Sequence, residues 1–173
     1  MISIGVLMAG VLGLMVFASL ASDAVKAEAK QSEYTGTETV DEIQNEGVWE
    51  PLPNGGMHFR GQEVTTIEVA NDPRASGSGT LVSNGNLDPT GTGPIWGTIA
   101  LTVPASEDCE GGGEWQGTWA GKMSIGEGYV YWFGVMQGVS GCVEGMMVRF
   151  ESELCTPQAP CAYSGTLVDP QGE

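Results

Sequence analysis

The sequence predicts an all-β fold: an antiparallel up-and-down β-barrel of about eight strands, preceded by a signal peptide or anchor segment. Three observations predict it. After Ala29 no apolar pattern of helical period runs for a useful length. Short β-rich or alternating runs recur instead, each followed by a cluster of Gly, Pro, Asn or Asp. The four cysteines fall where two hairpins of such a meander would bring them together in pairs.

The elements follow in chain order. Residues 1–27 open with an apolar run from Ile2 to Ala21, interrupted by Ser3 and Ser19. Small residues follow at Ser19-Leu20-Ala21 and Val25-Lys26-Ala27, where a signal peptidase would cut. The segment reads as a secretory signal peptide, and the alternative is an uncleaved membrane anchor, since about 20 apolar residues can span a bilayer. Residues 28–47, "EAKQSEYTGTETVDEIQNEG", are polar and acidic and read as a linker. The folded domain is expected over 48–173.

Strands are expected at 57–70, 78–86, 95–103, 114–123, 129–136, 146–153 and 162–168, with a further one at 48–52. The segments between them, such as "NDPRASG", "LDPTGTG" and "SIGEG", carry the residues that chain reversals require. Closing such a meander into a barrel removes its exposed edges. A sandwich is the alternative.

The hairpin at 114–136 defines a register. Centred on Ile125-Gly126, it sets Trp115 opposite Met136 and Trp119 opposite Trp132. Trp115, Trp119, Met123, Trp132 and Met136 then share one face, which is the buried one, and Lys122, Tyr129, Tyr131 and Phe133 the other. The same register carried outward sets Cys109 opposite Cys142. Cys155 and Cys161 flank Gln158 symmetrically, with Pro157 and Pro160 between them. The expected disulfides are therefore Cys109–Cys142 and Cys155–Cys161, as befits an exported chain.

The stretch "GVMQGVSGCVEGMMVRFE" reads as strand, reversal, strand, with Gly138, Gly141 and Gly145 at the bend. Together with the preceding "YWF" it resembles the late strands of the allene oxide cyclase and dirigent barrel superfamily. The matching residues are Gly138, Ser140, Gly141, Glu144 and Gly145, with Tyr131 before and Phe150 after. The upstream "GGGEWQGTWAGK" looks like the Gly–Trp strand of bacterial relatives. The resemblance implies an eight-stranded antiparallel barrel with an apolar lumen. Some members cyclise an unsaturated fatty-acid epoxide, and others orient coupling phenolic radicals. None of their functional polar residues aligns with this chain.

Charge narrows the partners. With 22 acidic against 6 basic residues, the net charge is −16. That excludes nucleic acid and anionic membrane surfaces as expected partners, because both need clustered Lys and Arg. Chemistry-bearing candidates are few. His58, Glu63 and Glu68 are the candidates for acid–base work, and a carboxylate turned into an apolar interior would have a raised pKa. Glu107, Asp108, Glu110 and Glu114 on the "SEDCEGGGE" loop are candidate calcium ligands, against a plain reading as solvated acid. No zinc spacing is present, and no cofactor is called for. Trp115, Trp119 and Trp132 either fill the core or line a small-molecule cavity.

The expectation is a secreted, periplasmic or extracellular barrel without catalytic activity, binding a small apolar ligand or acting structurally. The alternatives are an isomerase- or cyclase-like enzyme working in the barrel interior, and an extracellular assembly subunit forming homo-oligomers.

Overall fold

The protein is described here from a computed structural model, over residues 29–156 and 159–172. The segment read as signal peptide or anchor lies outside the described residues. Nine strands form one antiparallel sheet: β1 (Lys30–Asn45), β2 (Val48–Pro51), β3 (Met57–Ala70), β4 (Gly77–Leu87), β5 (Thr92–Val103), β6 (Gly113–Ser124), β7 (Tyr129–Gly141), β8 (Met147–Ser152) and β9 (Cys161–Asp169). Strands β3 to β9 pair in chain order.

The first strand departs from that order. β1 pairs with β9 from Lys30↔Asp169 to Glu38↔Cys161, and with β3 from Gly36↔Ala70 to Asn45↔Glu63. β2 continues along the same edge of β3, from Val48↔Arg60 to Pro51↔Met57. The hydrogen-bonded pairings thus run in a ring through β1, while β2 prolongs the β1 side of β3.

Two expectations are corrected here. The up-and-down barrel of about eight strands gives way to a nine-stranded antiparallel sheet in which the first strand joins the last and two strands share one neighbour. The linker at 28–47 is mostly strand, so the folded unit begins well before residue 48. The physical reason lies in "YTGTETV". Thr35, Thr37 and Thr39 alternate with Tyr34, Gly36, Glu38 and Val40. β-Branched threonines suit a strand's outer face, and the other set turns inward. Low hydrophobicity hid a strand whose buried face carries one aromatic, one glycine and one acid.

Glycine at position 36 is required by packing. A Cβ there would collide with the ring and hydroxyl of Tyr163, its partner on β9. Gly61 has a different task. Its φ is +67°, and the β3–β4 register steps irregularly between Phe59 and Gln62. This bulge reverses the alternation along β3. Before it Met57 and Phe59 face inward; after it Gln62, Val64, Thr66 and Glu68 do.

The β6–β7 hairpin closes with Ser124↔Tyr129, a four-residue loop, and pairs Trp119 with Gly134 and Gly121 with Trp132. The expected register, with Trp119 opposite Trp132, is therefore off by two residues. A slip of two leaves every side chain on its expected face, and the Trp face is the inner one: Trp115, Trp119 and Met136 are buried.

One end of the ring is filled. The 3₁₀ turn Pro73–Ala75 lies across it, with Ala75 fully buried and the Trp115 indole N–H donating to the Arg74 carbonyl at 2.9 Å. Asp72 caps the turn through the Arg74 amide at 2.9 Å. The Arg74 guanidinium bridges Asp72 at 2.9 Å and Asp169 at 2.8 Å, tying the turn to the end of β9. Cys109 is bonded to Cys142 at this end, with a Cα separation of 5.2 Å. Cys109, Val143 and Met146 are buried together there.

The other end is looser. The Cys155–Cys161 disulfide closes the short β8–β9 connection, with a Cα separation of 5.4 Å. Two backbone hydrogen bonds between Val130 and Cys155, at 2.9 and 2.8 Å, hold that connection against β7.

Candidate functional site

A cavity of about 190 Å³ occupies the looser end. Five strands supply much of its wall: Phe59 on β3, Leu81 on β4, Ile95 and Ile99 on β5, Trp119 on β6 and Trp132 on β7. Phe150 and the Cys155–Cys161 disulfide complete the apolar surround. Val40 stands on the lining and is 48% exposed, so the cavity communicates with solvent beside β1.

Local geometry sets each ring. The Trp119 indole N–H donates to the Thr98 carbonyl across the β5–β6 pair at 3.2 Å. The Trp132 amide lies beyond the last β7–β8 pair at Phe133↔Glu151, and donates to the Ser152 hydroxyl at 2.8 Å. Ser152 passes that bond on to the Glu153 carbonyl at 2.9 Å. Phe59 stacks on Trp49 of β2, with ring centroids 4.6 Å apart and planes 19° from parallel. The prolongation β2 therefore supports one cavity wall.

Polar groups on this lining are few: Glu38, Gln62, Ser83 and Thr156 among the described residues. Glu38 is 6% exposed. Directly opposite it on β3 stands Glu68, 4% exposed. As direct cross-strand partners the two carboxyls are close enough for each to act on the other's proton. Glu68 also accepts from the Thr66 hydroxyl at 3.1 Å, and the Tyr163 phenol lies near it. Tyr163 is paired in turn with Tyr34, hydroxyl to hydroxyl, at 3.2 Å, and their rings stack at 5.2 Å. Glu38, Glu68, Tyr163 and Tyr34 thus form a buried polar cluster beside the cavity wall.

Burial pushes both carboxyls above the usual carboxylate range, and for Glu38 the neighbouring Glu68 charge pushes further. Hydrogen bonds from Glu38, Thr66 and Tyr163 favour the ionised form of Glu68. Two buried carboxyls that face each other share a proton and titrate as a pair, above the usual carboxylate range. Burial likewise raises the phenols of Tyr34 and Tyr163, which stay neutral donors.

A pH dependence of stability follows. Groups whose folded pKa is raised hold a proton that the unfolded chain has released, so their contribution is complete below the unfolded value and is lost as pH rises. From about pH 4.5 upward, the pair should lower stability by up to about 1.4 kcal/mol per pH unit while one proton is retained only in the fold. Asp72 and Asp169 oppose this: burial alone would raise them, but hydrogen bonds from Arg74 outweigh it, so their contribution is lost as pH falls. Thermal melts between pH 4.5 and 9 on the wild type and the Glu38→Gln/Glu68→Gln double variant check the balance. The wild type should melt lower at higher pH, and the double variant should show a much smaller slope. Equal slopes would assign the pair no proton.

The residues predicted from sequence are distributed as follows. Glu68 is in the buried chain. Glu63 lies on the outer face, because the Gly61 bulge sets the alternation that way. His58 is also outward, its Nδ1 2.7 Å from Asn86 Oδ1 on the neighbouring strand. Neither touches the cavity lining. Glu107, Asp108, Glu110 and Glu114 are exposed, and no group of three His, Cys, Asp or Glu able to hold a metal occurs among the described residues. The three tryptophans separate: Trp119 and Trp132 line the cavity, and Trp115 is core at the filled end. Glu38 and Tyr34 escaped sequence reasoning because their segment read as linker; the threonine alternation was the available signal.

No family model, no curated protein and no solved structure matches this chain. The resemblance to the allene oxide cyclase and dirigent superfamily is therefore without support, and the name is withdrawn together with the barrel on which it relied. The local likeness in "GVSGCVEG" is explained by a reversal at Cys142–Met146, where Gly141 and Gly145 take φ of +70° and +83°.

Proposed function

We propose that this protein is an exported carrier or receptor that holds one small, mainly apolar molecule in the cavity beside β1, without transforming it. The observation that carries the reading is the cavity itself. Its volume of about 190 Å³ exceeds the roughly 150 Å³ that accepts a single benzene ring in an apolar protein interior. Its walls are aromatic and aliphatic, with a small number of polar groups, as small-molecule sites generally are. Two disulfides favour an oxidising compartment.

A ring compound tests this. 2-Phenylethanol should bind saturably in titration calorimetry and shift the emission of Trp119 and Trp132. Val64, on the cavity lining, offers a way to fill the space. Val64→Phe should weaken binding by about tenfold or more while leaving the melting transition cooperative, since an occupied cavity has no room for the ring. Unchanged affinity would place the bound molecule elsewhere. A second reading, proton-transfer catalysis on an apolar substrate, is favoured by one observation, the raised acid of Glu38 on the cavity wall.

A further inference from the structure

We propose that the cavity selects an organic ammonium ion, an amine carried on a small apolar or aromatic body, with Glu38 as its hydrogen-bond partner and the Glu38–Glu68 pair as its counter-charge. The inference rests on the reading of the cavity as a ligand site and names the chemical class it takes.

Four features of the site carry it. Glu38 and Glu68 face each other across the β1–β3 pair, and Glu38 forms part of the cavity wall. A proton shared by the pair lies between the two carboxyls, so what remains toward the cavity is acceptor capacity. A ligand that only accepts hydrogen bonds finds no donor at Glu38, and an anion would meet a like charge.

With one proton shared, the two facing carboxyls place a negative charge in an apolar wall. The groups facing it are all neutral: Thr66 on β3, Tyr163 on β9 and Tyr34 on β1. From β4, Gly79 comes close to Thr66 and Glu68, with no side chain to offer. Arg74, at the filled end, is held by Asp72 and Asp169. A buried charge is stabilised by a partner of opposite sign, and an ammonium group entering beside Val40 supplies one.

The rest of the lining suits such a guest. The rings of Phe59, Trp119, Trp132 and Phe150 surround the same space, and aromatic faces attract desolvated cations. The chain's net charge of −16 raises the local concentration of cations before any contact is made.

The experiment uses the full chain and three ligands that share one ring and differ in the head group: 2-phenylethylamine, 2-phenylethanol and 3-phenylpropionate. Titration calorimetry at neutral pH and moderate salt should show the amine binding about ten- to a hundredfold more tightly than the alcohol, the increment of a charged hydrogen bond. The carboxylate should bind most weakly. In the Glu38→Gln/Glu68→Gln double variant, which removes the pair's charge and keeps its shape, the preference for amine over alcohol should fall to within about threefold, with the alcohol's affinity kept. Equal binding of amine and alcohol by the wild type would overturn the inference and leave the apolar site standing. So would a preference for the amine that survives the double substitution. Failure of all three ligands to bind would remove both.

Discussion

Trp115→Ala is expected to cost about 3–5 kcal/mol of unfolding free energy, the largest effect of any single truncation in the core. Trp115 is fully buried, and its indole fills the space between β6 and the 3₁₀ turn at Pro73–Ala75. Two losses combine in the substitution. The ring's volume leaves a void that the surrounding sheet, held by hydrogen bonds on both sides of β6, cannot close. The Arg74 carbonyl also loses its donor at 2.9 Å. Urea unfolding checks the magnitude, and Trp115→Phe should recover part of it by restoring bulk without the N–H. A cost below about 1 kcal/mol would mean that the 3₁₀ turn is not packed as described.

Removing the Cys109–Cys142 disulfide by a double alanine substitution should destabilise the protein by about 4 kcal/mol, against about 2 for Cys155–Cys161. The contrast comes from the unfolded chain. The first bond closes a loop with a sequence separation of 33, the second only 6. The longer loop forfeits more conformational freedom when tied, so untying it returns more to the unfolded state. Burial adds to the difference, since Cys109 is fully buried beside Val143 and Met146. Denaturant titration of the two double variants gives the order directly. A larger effect from the shorter loop would indicate that native packing, and not chain entropy, governs both bonds.

The cysteine pairing shows how a sequence argument can reach its target by an inexact route. The β6–β7 register reads two residues short, because the chain turns through Ile125–Gly128 and not through a two-residue link. Cys142 lies just past the last paired position, Gly113↔Gly141. Cys109 stands four residues before Gly113, on the turn that joins β5 to β6. The two sulfurs meet because that turn folds back, which no alternation pattern reveals. The faces of β6 and β7 were legible because side-chain direction depends only on parity. Along β3 parity was not enough: the Gly61 bulge turned Phe59 and Val64 to the same side. Most of the sheet was therefore readable, but half the site was not. Trp119, Trp132 and Glu68 stood out by residue type. Glu38 did not, since an acid among acids gains its character only from the strand that buries it.

One feature of the sheet bears on how the molecule could be displayed. Lys30 and Asp169 are direct partners in the β1–β9 pair, so the two extremities of the described sheet run side by side. Both emerge at the end sealed by the Arg74 clasp, while Val40 and the Cys155–Cys161 staple mark the opposite pole. Both positions lie away from the cavity's opening, which makes them suitable for immobilisation and their covalent joining a direct route to circular permutants.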